Sequence, residues 1–121
     1  MDINELLERA HGNAVDKGFW DMEQRIAEKL HKHRGEIFSL EEIKYIMDAF
    51  KAQKIALIMS ELGEAVEALR LNDWENFEEE MADVGIRLGD MSEGYGIDLP
   101  GAIRKKMETN SSRPKMHGKE F

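Results

Sequence analysis

Residues Lys54–Met91 read KIALIMSELGEAVEALRLNDWENFEEEMADVGIRLGDM. Apolar residues recur every three or four positions, at Ile55, Ile58, Met59, Leu62, Val66 and Leu69, then at Phe77, Met81, Val84, Leu88 and Met91. That is the period of amphipathic helices, not the alternation of a strand. Carboxylates fill the intervening positions: Ser60–Val84 holds nine of them and one basic residue, Arg70. Glu61-Leu-Gly-Glu64 and Glu80-Met-Ala-Asp83 each set two carboxylates three apart, with fifteen residues between the patterns. Residues three apart share a helical side, so each pattern aims two acids the same way.

The same period extends in both directions. Asp2 and Glu5 have the capping-box spacing, followed by Ile3, Leu6, Leu7, Ala10 and Ala14 up to Gly18. Asp21 with Gln24 repeats that spacing before Ile26 and Leu30, and Gly35 closes the segment. Ser39 with Glu42 opens a third, in which Ile43, Ile46, Met47 and Phe50 lead into the quoted stretch. Glu36–Leu62 lacks Gly and Pro, which allows one long helix or two with a break near Lys51. Asn72 or Asp73 starts the next helix, and Gly94 and Gly96 end it. Asp98 begins a last one with Pro100 in its first turn, running to about Asn110. No strand or internal repeat is predicted. The fold class is all-α, in a single domain over residues 1–121 with an irregular basic tail at 111–121.

Composition bounds the partners. The chain has 121 residues, a net charge of −8 and no cysteine. Disulfides and thiolate sites are excluded, and broad binding to a nucleic-acid backbone is disfavoured. No signal peptide or membrane span is expected, and a cytoplasmic location follows as the expectation. Charge is uneven: Gly101–Phe121 carries six Lys/Arg against two Glu. An acidic centre followed by a basic end suits cations at one and the anion they bring at the other.

At about 100° per residue, Glu61 lies roughly 110° from the middle of its apolar stripe, and Glu64 lies near the opposite side. Glu80 flanks the second stripe, with Asp83 further round. A solvated acidic face fits those angles, but such faces normally carry Lys or Arg at i,i+4. Here Arg70 reaches Glu67, Arg87 reaches Asp83, and the other acids have no such partner. Gly63, Gly85 and Gly89, inside the two helices, point to close approach by a backbone or ligand. Four converging carboxylates need cations among them or raised pKa values. Oxygen-only ligands select magnesium or manganese over softer metals. A di-iron bundle would use Glu-x-x-His, and no histidine lies between His33 and His117.

The paired acidic pattern, in KIALIMSELGEAVEALR and FEEEMADVGIRLGDM, resembles the MazG-like nucleoside triphosphate pyrophosphohydrolases. KKMETNSSRPKMHGKEF resembles the Lys–Asn–Arg-Pro segment of many members, and HGNAVDKGFWD resembles their first helix and its end. These blocks span about two-thirds of the chain in the family's order. Residues 22–50 match no motif and read as an insertion.

The resemblance implies magnesium-dependent cleavage of a (deoxy)nucleoside triphosphate to the monophosphate and pyrophosphate. Manganese is a possible substitute. It makes Glu61, Glu64, Glu80 and Asp83 the metal set, and gives Lys106, Asn110 and Arg113 contacts to phosphate or sugar. It also implies self-association as a dimer with a four-helix-bundle core, sometimes a dimer of dimers. Carboxylates that flank the apolar seams need a further helix layer to enclose them, which a second subunit would supply.

From spacing, Lys54 is a candidate phosphate contact, seven residues before Glu61. Trp20 is a candidate for stacking on a base or for packing at a helix junction. His11 is a weaker base contact, with a surface histidine as its alternative. Trp74 reads as packing, and Met47, Met59, Met81 and Met91 as core or interface. No Ser, Cys or His stands in a nucleophile setting, so metal-activated water is expected to attack the α-phosphorus directly. Glu64, with Glu61, is the candidate base. The rival readings are a non-catalytic nucleotide- or metal-binding regulator, a structural helical oligomer, and a phosphoribosyl-ATP pyrophosphohydrolase-like activity.

Overall fold

Five α-helices follow one another in the computed structural model, which describes residues 1–118: α1 (Ile3–Asp16), α2 (Asp21–Lys32), α3 (Leu40–Arg70), α4 (Trp74–Gly94) and α5 (Leu99–Ser111). A turn of 3-10 helix at Lys115–Gly118 follows. Part of the tail expected to be irregular is thus helical, and residues 119–121 lie outside the described residues. No strand forms among the described residues. A lone bridge between Arg34 and Phe38 closes the α2–α3 turn. None of the helices is long and apolar enough to cross a membrane.

Side chains start most of these helices. Asp2 accepts from Glu5 N at 2.8 Å. Ser39 and Glu42 form a reciprocal capping box, with bonds of 3.1 and 3.0 Å, which satisfies two of the donors a helix start leaves unpaired. Asp73 caps α4 through Asn76 N, and Asp98 caps α5 through Gly101 N. The expected Asp21 cap does not form. Trp20 precedes α2 in helical conformation with no side-chain cap, and its carbonyl already accepts from Gln24 N. Gly18, at φ +83, turns the chain so that Trp20 enters the core one residue before the helix begins. Asn72, at φ 56, makes the corresponding turn between α3 and α4, a conformation that asparagine tolerates better than most residues.

Helix α3 is continuous across Lys51, 31 residues without a break. At 1.5 Å per residue it is about 46 Å long. The insertion-like segment therefore consists of α2 and the first third of this helix. Leu30 and Ile43 are buried there, and α2 packs lightly on α3.

Helix α4 lies between α1 and α3 and makes the extensive contacts of the fold. Apart from Leu7, the residues buried in this packing are small. Leu7, Ala10 and Ala14 are buried on α1, Ala65 and Ala68 on α3, and Gly89 and Ser92 on α4. A Cβ at Gly89 would lie 3.2 Å from Leu7 Cδ2, so this glycine does admit a neighbouring helix. Gly63 and Gly85 have open space instead.

The large apolar residues lie elsewhere. Ile55, Met59, Leu62, Val66 and Leu69 are all exposed, Met59 by 65% and Val66 by 59%. They sit roughly 110° around α3 from Ala65 and Ala68, at about 100° per residue. On α4, Met81 and Leu88 are exposed, and Phe77, Val84 and Met91 are half-buried. Trp74 is also exposed, with its ring against Phe77 of its own helix and its indole N–H donating to Glu78. The stripes that mark the helices in sequence are thus not the faces the chain buries in itself. Helix α5 buries no residue, and Ile103 and Met107 are exposed on it.

Candidate metal centre

The close approach of α3 and α4 brings one acid of the second pattern against both acids of the first. Carboxylate oxygens of Glu61, Glu64 and Glu80 lie within 4.8 Å of one another. Their surroundings grade from dry to wet: Glu80 is 8% exposed, Glu61 half-buried and Glu64 exposed. Asp83, one turn beyond Glu80, is exposed and stays outside this group of three. Arg87 does not take Asp83 as its partner. Its Nε donates to Glu61 Oε1 at 3.0 Å, across from α4 to α3.

The carboxyl of Glu80 is held up at about pH 7, first by the hydrogen bond it shares with Glu61, then by burial, and then by Glu64. Glu61 is shifted down, chiefly because Glu80 donates to it, with Arg87 adding to the effect against the cost of burial. The opposite shifts favour a proton on Glu80 over one on Glu61, as expected of like charges this close. Glu80 Oε2 is buried, and no protein donor reaches it. A buried oxygen without a donor is costly. Two things cure it here: the shared proton, or a cation. Three carboxylates this close, one of them with an orphaned oxygen, fit a hard divalent cation, so Glu61, Glu64 and Glu80 can hold a metal ion.

One cavity adjoins the cluster through Glu61, and a second lies next to that cavity. The first, of about 250 Å³, is lined by Glu61, Asp83, Arg87, Asp90 and Phe19, with Ala10, Asn13, Ala14 and Ile86. The other, of about 290 Å³, is lined by Trp20, Gln53, Lys54, Leu57, Phe19, Arg87 and Asp90. Phe19, Arg87 and Asp90 border both. A larger concavity of about 580 Å³ beside Met1 and Arg9 contains no member of the acidic cluster.

Behind the second cavity is a polar network that the sequence did not disclose. Asp90 Oδ1 accepts from Trp20 Nε1 at 2.8 Å and lies 2.9 Å from His11 Nδ1. Lys54 Nζ sits 4.1 Å from the Trp20 ring centre and 3.1 Å from Glu23 Oε1. Tyr95 donates its hydroxyl to the same Glu23 oxygen at 2.8 Å. Burial, and then this bond, push the tyrosine hydroxyl well above its ordinary range.

Trp20 is therefore a packed residue at the α1–α2 junction, with edge contacts to His11 and Tyr95 and a lysine over its face. The aromatic ring open to the cavities is its neighbour Phe19, 73% exposed. His11 is half-buried and engaged with Asp90. Lys54 borders a cavity while already paired.

Lys106, Asn110 and Arg113 are not drawn to the cluster within the chain. They lie on α5 or just beyond it and line neither cavity. Asn110 Oδ1 is nevertheless buried without a partner. Phe19, Arg87 and Asp90 were missed as site residues because each reads locally as ordinary surface. Only the α1–α4 and α3–α4 contacts bring them together. No protein-family model, curated protein or solved structure matches the chain.

Proposed function

We propose that the chain is a magnesium-dependent nucleoside triphosphate pyrophosphohydrolase of the MazG-like kind, releasing a nucleoside monophosphate and pyrophosphate. The observation that carries this reading is the convergence of Glu61, Glu64 and Glu80 around a buried oxygen with no donor. The cavity lined by Glu61, with the neighbouring one that shares Phe19, Arg87 and Asp90, leaves room for a phosphate chain and its nucleoside.

Glu61, Glu64 and Glu80 are the residues that hold the ion, with Asp83 one turn away. Magnesium bound there supplies positive charge for the phosphate oxygens and acidity for water. The three acids then differ in role. Glu61 is committed to Arg87 through Oε1. Glu80 is buried and faces its own proton balance. Glu64 is the exposed member, so a proton leaving water at the α-phosphorus passes to its carboxylate oxygens and on to solvent. Lys106, Asn110 and Arg113 are assigned to the substrate by the resemblance alone.

The exposed apolar faces of α3 and α4 support association with a second copy, forming a four-helix bundle from two such pairs. A patch of that composition is unusual on a chain that remains alone.

The test is a panel of canonical and modified triphosphates with magnesium, read for pyrophosphate in ¹⁸O-labelled water. The expected result is label in the monophosphate. Orthophosphate as the sole phosphate product, or label in pyrophosphate, rejects the reading.

A further inference from the structure

Arg87 stands apart from the other arginines in how it is paired. Arg9 and Arg70 bind acids one turn away on their own helices, at exposed positions. Pairs of that kind contribute little. Arg87 is the one arginine among the described residues whose ion pair crosses between helices, and its partner is the metal-cluster residue Glu61. The two ends of this bond differ in exposure. The Glu61 side chain is 14% exposed and that of Arg87 is 42% exposed. Its single hydrogen bond uses Nε, and the guanidinium makes no other among the described residues. Arg87 also lines both the cavity that Glu61 borders and its neighbour.

A guanidinium carries five N–H donors in a rigid plane, and its positive charge is permanent. One edge can hold a carboxylate while the remaining donors take a second anion, which a lysine ammonium does with less directional control. Here one donor is used, the guanidinium makes no other hydrogen bond among the described residues, and Arg87 borders a cavity that is also lined by Glu61 of the acidic cluster. Apart from Arg87 and the neutral Asn13, the first cavity is lined by acidic and apolar residues, among them Asp83, Asp90, Phe19 and Ile86. Lys54, the other cation bordering the second cavity, is already paired with Glu23. An anionic substrate entering such a wall meets repulsion unless a fixed cation receives it.

We propose that Arg87 is the protein's own anion anchor at this centre, holding Glu61 through Nε and receiving a phosphate oxygen of the triphosphate on its Nη groups. This deepens the pyrophosphohydrolase reading and rests on it. The anchor ties substrate to metal set. A phosphate seated on Arg87 is kept beside Glu61, so the position of the chain of phosphates relative to the ion is set by one side chain. Selectivity follows from the same geometry: a ligand with several adjacent phosphates can reach the arginine and the metal together, whereas a monophosphate reaches one of them.

The test uses inorganic tripolyphosphate, which removes the unknown base from the question. Binding of magnesium alone, and of tripolyphosphate in the presence of magnesium, is measured by calorimetry on the wild type, Arg87→Gln and Arg87→Lys. Folding is checked by circular dichroism. Arg87→Gln is expected to weaken tripolyphosphate at least about tenfold, the loss of a charge-assisted hydrogen bond. Magnesium alone should bind it at least as tightly as wild type, because a competing cation has left Glu61. Arg87→Lys should fall between. Tripolyphosphate binding unchanged in Arg87→Gln overturns the proposal. So does a parallel loss of magnesium and tripolyphosphate, which would make Arg87 a positioning residue for Glu61. A wild-type chain that binds neither probe overturns the metal centre itself, and this inference with it.

Discussion

Trp20 and Asp90 are seventy positions apart in the chain, and their side chains meet at 2.8 Å, Nε1 donating to Oδ1. The bond joins the start of α2 to the last turns of α4 and fixes the wall shared by the two cavities. It accounts for the buried indole N–H, which would otherwise lack an acceptor. Asp90→Ala should cost about 1–3 kcal/mol, the penalty for an unpaired buried donor. Asp90→Asn keeps an acceptor and should cost clearly less. Thermal or denaturant unfolding of the two variants distinguishes them.

The raised carboxyl of Glu80 gives the metal-free chain a pH dependence of definite sign. Between its ordinary value of 4.5 and about 7, the folded state holds this proton more tightly than the unfolded state does. The stabilisation is complete below the unfolded value and is lost as pH rises through the folded one. Glu61, Glu42 and Asp48 are shifted the other way, so their contributions fade only as acid protonates them. Metal-free protein should therefore lose stability as pH climbs from about 5 to about 8. Magnesium competes with the proton, so the rise in Tm it causes should grow over the same interval. A magnesium effect that is flat or falling with pH would contradict this.

Glu80 and Asp83 belong to one sequence pattern and occupy different places. Glu80→Gln replaces a ligand inside the cluster and should abolish the magnesium-dependent rise in Tm. It should also make the metal-free protein less sensitive to neutral pH, since the shared proton is gone. Asp83→Asn changes an acid outside the three and should reduce turnover by roughly 10–100-fold, the range for residues that support a metal site, while part of the thermal response to magnesium remains. Equal loss of metal response in both variants would place Asp83 among the ligands.

Gly94 has no room for a side chain. A Cβ there would collide with the six-membered ring of Trp20 and lie 3.0 Å from His11 Cε1. Gly94→Ala should destabilise by about 1–3 kcal/mol, as overpacking does, and should disturb tryptophan fluorescence. Gly12, within α1, has nothing within 4 Å of the corresponding position. Gly12→Ala should stabilise by up to about 1 kcal/mol through helix propensity alone.

The outward stripe of α3 should hold two copies together. Met59→Glu and Val66→Glu place charges at positions already exposed in the single chain, so they leave its own core intact. Light scattering should show them as monomers at concentrations where the wild type is associated. Circular dichroism should remain helical. Unchanged mass in both variants would rule out this face as the contact.

Helix existence was legible because period and caps agree. Ser39 with Glu42, and Asp98 before Pro100, act locally, and the structure has both caps where the spacing puts them. The start of α2 was misread because Trp20 is held by Asp90, a contact no local pattern contains. The apolar period located α3 and α4 but not the direction they face. Periodicity reports a face that avoids water and is silent on whether the chain itself covers it. Inside, Gly89 was legible as a point of close approach, whereas Ala65 and Ala68 were unremarkable in sequence because close helix packing selects small residues over strongly apolar ones. Spacing put Glu61 and Glu64 on one helical side but did not bring Glu80 to them or leave Asp83 out, and Arg87 pairs across helices rather than along its own.

Helix α5 has thirteen residues and buries none of them. Isolated helices shorter than about 12–15 residues are only marginally populated in water, because the first turn costs more order than it returns. This segment is then a low-stability unit, able to open while the α1–α4–α3 packing stays closed. Lys106 and Asn110 ride on it, and Arg113 follows two residues after its end. Where Lys106, Asn110 and Arg113 sit relative to the rest of the chain is thereby set by a helix–coil equilibrium. Temperature, or anything that covers Ile103 and Met107, can tune that equilibrium without touching the acidic centre.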